Sequence, residues 1–245
     1  MFGYRAFYYV SFLVTALMHL YFSDLISTFA MIVVISFCFN TVSAKTEQTV
    51  LEGGYQILDF DEIETPGGFG NIARPYKGLV FNDFYAFKPS HPRLDGVISS
   101  YDLNCAVSKP NALYGAANPD TLDDQGGYRA TPGERPSICP YTSSESFSVH
   151  ALKIKPLDMP VGSVTINLQG FRGRKAEDTL SWSVAFPAGF HDVLHIRVEK
   201  FTGRTWEGLT RLEVWADFQF ENIRMEDWEF CIDDLEFELG SRART

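Results

Sequence analysis

The sequence predicts an all-β fold, a two-sheet antiparallel β-sandwich. Beyond residue 54 apolar residues recur with a period of two, and Gly/Pro turn signals such as TPGG, MPVG, FPAG and FTGR separate the runs. No amphipathic helix of useful length is present in the sequence, so there is no room for the helices of βαβ units. With 245 residues, 45% of them hydrophobic, the chain can bury a full core in one domain.

Roughly nine or ten strands are expected. In chain order they are YQILDFDEI, GLVFNDFYAF, DGVISSYDLNCAV, FSVHALKIKPL, GSVTINLQGF, DTLSWSVAF, VLHIRVEKF, LTRLEVWADF and DWEFCIDDLEFEL. A long irregular segment rich in Pro, Gly, Asn and Asp separates the third strand from the fourth. We expect the first strand, Tyr55–Asp61, to lie beside the last, Glu229–Leu239, near the two ends of the domain.

The outward faces of these strands carry the candidate ligand-binding residues. Period-two alternation places Trp215 and Glu213 outward on one strand, Asn167 and Gln169 outward on another, and Arg197 outward on a third. If the three strands are neighbours, an exposed aromatic ring lies among hydrogen-bonding side chains. A sugar ring, with one apolar face and a rim of hydroxyls, requires such a surface. The alternative is that a loop or the leader covers Trp215.

The first 44 residues differ from the rest because they are almost entirely apolar and aromatic. Arg5 gives a weak positive start, and Val42 and Ala44 are the small residues that a signal peptidase site tolerates. A cleaved signal peptide and a secreted, extracellular protein are therefore expected. The two successive apolar runs are long for one signal, and the alternative is an uncleaved membrane anchor through residues 6–40. The membrane is a partner only in that second case.

The predicted organisation is a leader at 1–44, a linker at 45–54, a β-sandwich domain at 55–240 and a tail at 241–245. The formal charge of −10 is carried entirely beyond the leader, where acidic side chains outnumber basic ones. Binding to nucleic acid begins with cations that neutralise phosphates, so an acidic domain excludes nucleic acid as an expected partner.

Cysteine usage agrees with export. Cys38 leaves with the leader, and Cys105, Cys139 and Cys231 remain, which permits one bridge and one spare thiol. We favour Cys105–Cys139, because these residues flank the irregular segment and a bridge would clamp it in an oxidising compartment. Cys231 is then expected to be buried and free. The sequence alone does not fix the pairing.

Four stretches resemble a known class of proteins: ILDFDEIE, YKGLVFNDFYAF, VGSVTINLQGFRG and FCIDDLEFEL. They are similar to small exported jelly-roll proteins of filamentous fungi, which are similar in turn to the calcium-pinned β-sandwiches of carbohydrate-binding modules. The resemblance spans roughly Tyr55 to Leu239. It implies a jelly-roll, galactose-binding-like sandwich, and it implies no activity because most such proteins have none assigned.

The last strand changes phase at two adjacent acids. Phe230 and Ile232 share one parity and Leu235 the other, so one extra residue, a bulge, is expected at Asp233–Asp234.

We expect the acids of the first strand, Asp59 and Asp61, to lie near the bulge acids Asp233 and Asp234. Carboxylates collected in this way suit Ca²⁺, and the resemblance places a structural calcium at this kind of junction. The alternative is that the acids are solvated or meet Arg and Lys partners.

The function expected from these features is that of an exported, non-catalytic protein that binds carbohydrate or cell-wall polysaccharide through a strand face. The first alternative is an effector-like or structural module that binds protein. The second is a polysaccharide-active enzyme, although the E-x-D-x-E strand pattern of jelly-roll retaining glycosidases is missing from the sequence.

Overall fold

The computed structural model describes residues 54–116, 135–173, 178–225 and 228–241. The predicted leader, nearly all of the predicted linker and the tail beyond residue 241 lie outside these residues. All of the described residues belong to a unit that spans Leu51–Thr245.

The described residues form fourteen strands, one α-helix and two 3-10 helices. The strands are β1 Tyr55–Leu58, β2 Phe69–Gly70, β3 Leu79–Asn82, β4 Phe84–Phe87, β5 Ala112–Gly115, β6 Ser137–Pro140, β7 Glu145–Pro156, β8 Ser163–Phe171, β9 Thr179–Pro187, β10 Leu194–Arg197, β11 Trp206–Leu209, β12 Arg211–Phe220, β13 Ile223–Met225 and β14 Phe230–Ser241. The α-helix, α1, is Val198–Thr202, and the 3-10 helices are Pro92–Leu94 and Ser100–Cys105. None of the helices in the described part of the chain is long and apolar enough to cross a bilayer.

The strands form two antiparallel sheets, which confirms the predicted β-sandwich. Sheet A has the order β10-β7-β14-β5-β4-β2, with β1 also paired to β14 and β11 to β7. Sheet B has the order β3-β6-β12-β8-β9, with β13 also paired to β12. The predicted neighbourhood of the first and last strands is correct, because β1 pairs antiparallel with β14 from Tyr55↔Glu238 to Leu58↔Leu235.

The core lies between the sheets and follows the alternation of the sequence. Alternate side chains are buried in the central strands, with a change of phase within β14: Val164, Ile166 and Leu168 in β8, Leu212, Val214, Ala216 and Phe218 in β12, and Phe230, Ile232, Leu235, Phe237 and Leu239 in β14. Burying one such large side chain contributes about 1.5–3 kcal/mol. These strands therefore account for much of the apolar stabilisation of the fold.

The predicted bulge in β14 is present, and a second bulge in β7 accompanies it. Between Asp233 and Glu236 the partner residues move only from Lys153 to Ala151, so β14 carries one extra residue there. From Glu236 to Phe237 the partner moves from Ala151 to Val149, so β7 carries the next one. Asp234 accommodates the bend with a φ of 45°. Both strands change phase together, and both keep their apolar side chains in the core.

The disulfide joins Cys105 to Cys231, with the two Cα atoms 5.8 Å apart. The predicted Cys105–Cys139 bridge and the predicted free Cys231 are wrong, and Cys139 is the free thiol among the described cysteines. The reason is the sheet topology. Cys139 is held in sheet B by the pairing of β6 with β3, whereas the 3-10 helix that ends at Cys105 lies against β14 of sheet A. The bridge spans a sequence separation of 126 residues, for which the loop-entropy model gives roughly 5 kcal/mol.

Candidate functional site

Four of the five predicted ligand-binding residues share the outward face of sheet B, which we call the Trp215 face. Strands β12 and β8 pair without interruption, with Trp215 opposite Asn167 and Glu213 opposite Gln169. The next strand, β9, adds hydroxyls, because Ser183 and Ser181 lie opposite the two amides. The condition that the sequence left open, that these strands be neighbours, is therefore met for β8 and β12.

Arg197 does not belong to the Trp215 face. It is the last residue of β10, which pairs with β7 in sheet A, where Arg197 lies opposite Ala151. The alternation placed Arg197 outward correctly, and its side chain is exposed. Alternation does not determine which sheet a strand joins, so the expected grouping of Arg197 with Trp215 is wrong.

The indole of Trp215 is half-buried, and a guanidinium covers it. The Arg135 guanidinium carbon lies 3.6 Å from the centre of the ring. Arg135 also lies 3.9 Å from the Glu213 carboxylate, which makes a closer ion pair of 2.9 Å with Arg211. This matches the alternative of a covered Trp215. Sequence spacing gave no signal for Arg135, because it comes from the segment before β6.

Hydrogen bonds hold the polar side chains of the Trp215 face in place. Asn167 Nδ2 donates to Asp217 Oδ2 at 3.0 Å and to the Thr165 carbonyl at 3.2 Å. Arg224 lies 3.9 Å from the same Asp217 carboxylate. The amide of Asn167 is thus held in one orientation on the Trp215 face.

At the β14 bulge, Asp233 is buried and its carboxylate accepts N–H and O–H donors. The amides of Val107 and Ser108 donate to it at 2.7 and 2.9 Å, and the Ser108 hydroxyl donates at 3.1 Å. The amide of Asp234 donates at 2.8 Å. Burial raises the pKa of Asp233 to about 7, although these hydrogen bonds oppose the shift.

The other three acids of the predicted calcium site lie nearby. Asp234 pairs with the Lys153 ammonium, and the amide of Asn111 donates to Asp61 at 2.9 Å. Burial raises the pKa of Asp61, and the charges of Asp59 and Asp234 add to the shift. The expected accumulation of carboxylates is therefore present.

The groups that surround the carboxylates of Asp233 and Asp234 include N–H donors and one ammonium. A calcium ion bound to these carboxylates would need further oxygen ligands in the same place. Within the described ranges, no three His, Cys, Asp or Glu side chains form a group that could hold a metal. As arranged, Asp233 and Asp234 do not fit a calcium ion, and the calcium site involving Asp59, Asp61, Asp233 and Asp234 stays a prediction from the sequence.

Sheet A carries a cleft on its outer side, which we call the Arg197 cleft. It has a volume of about 680 Å³ and is lined in part by Arg197, Glu199, Lys200, His150 and Glu236. Of these residues, only Arg197 is a candidate from the sequence. His150 and Glu236 lie in β7 and β14, and Glu199 and Lys200 lie in helix α1, and the sequence does not show that these elements are neighbours.

The lining of the Arg197 cleft includes Val149, Ala151 and Glu236, which are residues of the paired bulges of β7 and β14. Next to it, the Tyr55 hydroxyl donates to the Glu236 carboxylate, and the Tyr55 ring packs on His150 with centroids 5.5 Å apart. The hydrogen bond to Glu236 raises the pKa of Tyr55 to about 12, while the charge of Arg197 acts in the opposite direction. Residues of four different strands therefore meet at this point.

Comparison with known proteins shows only distant likenesses. No protein-family model matches the chain, and no curated protein matches it. Among solved structures, a DUF4465 family protein from Bacteroides ovatus is similar with a TM-score of 0.43 and 13% identity, over 75% of this chain and 83% of that chain. The K2 cleaved adhesin domain of Lys-gingipain is similar with a TM-score of 0.37 and 12% identity, over 76% and 99% of the two chains. The K1 cleaved adhesin domain of Lys-gingipain from Porphyromonas gingivalis W83 has a TM-score of 0.35 and 9% identity, over 76% and 98%. At these scores the likeness carries neither a function nor a ligand to this chain.

Proposed function

We propose that this protein is an exported, non-catalytic β-sandwich that binds a glycan on the Trp215 face of sheet B. The observation that carries the proposal is the register of β12 with β8, which places Trp215, Asn167, Gln169 and Glu213 together on one outward face. The disulfide supports export, because such bonds persist in oxidising compartments. The apolar leader of the sequence points the same way.

The chemistry of the Trp215 face suits a sugar. An indole offers an apolar surface for the C–H face of a pyranose, and the side chains around it offer hydrogen bonds to hydroxyls. Here the Gln169 amide can donate and accept, the Asn167 carbonyl oxygen can accept, and the carboxylates of Glu213 and Asp217 accept.

Arg135 occupies the position where a sugar would stack on Trp215. At exposed sites a cation–π contact contributes only about 0.5–1 kcal/mol. The 3.9 Å ion pair with Glu213 adds little, since that carboxylate is already closer to Arg211. A sugar that stacks on the indole and forms hydrogen bonds with the amides gains more favourable contacts than are lost when Arg135 leaves. The bound ligand therefore moves Arg135 aside.

The test is a glycan array followed by calorimetry on the strongest ligand, with the full-length chain expressed for secretion. Trp215→Ala should reduce binding at least about tenfold, because the stacking surface is lost. Arg135→Ala should strengthen binding roughly two- to fivefold, since about 0.5–1 kcal/mol of competing contact is removed. The matched control is Arg197→Gln on the other sheet, which should leave this affinity unchanged.

Two outcomes would refute the proposal. One is a silent array that includes chitin, β-glucan and cellulose fragments. The other is a bound glycan whose affinity does not respond to Trp215→Ala or to Arg135→Ala.

One observation favours the second candidate function, a protein-binding module. The segment around the second 3-10 helix exposes four large apolar side chains, with relative exposures between 38% and 74%: Val97, Tyr101, Leu103 and Val107. Contiguous exposed apolar groups are typical of protein interaction sites. A silent glycan array together with a cross-linked partner lost in a Tyr101→Ser, Leu103→Ser variant would favour this function.

A further inference from the structure

The Arg197 cleft arises because the strand edge beside β7 is interrupted. β10 pairs with β7 at residues Ala151 to Ile154, and β11 pairs with it at Phe147 and Val149. Helix α1 carries the chain from β10 to β11. The opening left there coincides with the bulges of β7 and β14. Bulges re-aim side chains, and here they point His150 and Glu236 toward one cleft.

Two cationic groups of the Arg197 cleft have no polar partner among the described residues. Within the described ranges, the guanidinium of Arg197 makes no hydrogen bond or ion pair, and neither does the ammonium of Lys200. His150 Nε2 is shielded from solvent and lies 3.7 Å from the carboxylate of Glu238, which is not part of the cleft lining. Arg197 and Lys200 are therefore the groups that an anionic ligand can pair with.

We propose that the Arg197 cleft binds a sugar acid, a ligand that carries one carboxylate beside a row of hydroxyls. Arg197 holds the carboxylate through the two parallel N–H donors of its guanidinium, and Lys200 adds a second positive charge. The carboxylates that line the cleft, Glu199, Glu207 and Glu236, accept hydrogen bonds from the hydroxyls.

The charges of the lining favour a sugar acid over a ligand with several anionic groups and over a neutral sugar. A ligand with several anionic groups, such as a sugar phosphate, would be repelled by three carboxylates in the same cleft. A neutral sugar would leave Arg197 unpaired. A ligand with one carboxylate and several hydroxyls pairs with the cations of the cleft and with its carboxylates. The volume of about 680 Å³ accommodates a monosaccharide or a short oligosaccharide.

This inference is independent of glycan binding at the Trp215 face, because the two sites lie on different sheets. The test is calorimetry of the full-length secreted protein with glucuronate, its methyl ester, glucose and an oligogalacturonide. We expect binding of the acid and at least about tenfold weaker binding of the ester and of glucose, which lack the charge. Arg197→Gln should weaken binding of the acid at least about tenfold, and Trp215→Ala should not change it.

The four ligands also distinguish a uronic acid residue of a polysaccharide from a free sugar acid. Binding of glucuronate together with the oligogalacturonide assigns a uronic acid residue of a polysaccharide, and binding of glucuronate alone assigns a free sugar acid. Absence of binding to every acid would overturn the inference, as would an ester that binds as tightly as the acid. An affinity unchanged by Arg197→Gln, in a variant with the wild-type melting temperature, would also overturn it.

Discussion

Lys155 Nζ lies 2.9 Å from Asp102 Oδ1, and both side chains are buried. The ammonium also donates to the Tyr101 carbonyl at 2.8 Å and to the His191 carbonyl at 3.3 Å. The Asp102 carboxylate accepts the amide of Asp158. This pair fastens the 3-10 helix Ser100–Cys105 to β7 beside the disulfide.

The first prediction concerns this pair. Asp102→Ala should lower the free energy of unfolding by about 3–5 kcal/mol, because it leaves a buried ammonium without its counter-charge. The matched control is Glu62→Ala, which breaks the exposed 2.8 Å pair with Lys77. That change should cost less than about 1 kcal/mol. Denaturant unfolding measures both, and equal costs would contradict the prediction.

The second prediction concerns pH and Asp233. Its pKa is about 7 in the folded protein, above the ordinary value of 3.8, so the folded state holds the proton more strongly than the unfolded state. The stabilisation from this group is complete below about pH 4 and is lost as the pH rises through about 7. The free energy of unfolding should therefore fall by up to about 1.4 kcal/mol per pH unit in that window.

The matched variant for this prediction is Asp233→Asn, which keeps the shape of the side chain and removes the proton. Asp61 has a raised pKa as well and contributes with the same sign, so the test is the difference between wild type and variant. Melting curves from pH 4 to 8 measure it. Parallel pH profiles of the two proteins would show that Asp233 does not titrate in this range.

The third prediction is chemical. Peptide mapping without reduction should find Cys105 linked to Cys231, and Cys139 should react with an alkylating agent once the protein is unfolded. Reduction should destabilise the protein by an amount approaching roughly 5 kcal/mol. The Cys139→Ser variant should show the same loss. A bridge that contains Cys139 would contradict the structure.

The fourth prediction tests calcium. If the sequence hypothesis of a site at Asp59, Asp61, Asp233 and Asp234 is correct, calcium raises the melting temperature over that in chelator by ligand linkage. Asp234→Ala should abolish that difference. An ion bound there would have to displace Lys153 from Asp234. Identical melting curves with calcium and with chelator would exclude the site.

The sequence by itself determined most of the strands, their faces and the β14 bulge. Two predicted strands were wrong in whole or in part: DGVISSYDLNCAV forms no strand and contains the 3-10 helix Ser100–Cys105, and VLHIRVEKF forms β10 only over Leu194–Arg197 before helix α1 begins. Alternation along one strand is a local property, since successive side chains point to opposite sides of any sheet. Trp215 and Arg197 could therefore be placed outward, and Leu212 and Val214 inward, from the sequence alone. The phase change at Asp233–Asp234 showed the bulge for the same reason.

Only the tertiary structure decided which strands are neighbours. The chain passes repeatedly from one sheet to the other, as from β3 in sheet B to β4 in sheet A, and these crossings leave no periodic signal. They place Arg197 away from Trp215, bring Arg135 over the indole, and join Cys105 to Cys231 instead of Cys139. The sheet that a strand joins and the strands beside it are set by the packing of the whole core, because each strand is held by partners distant in sequence.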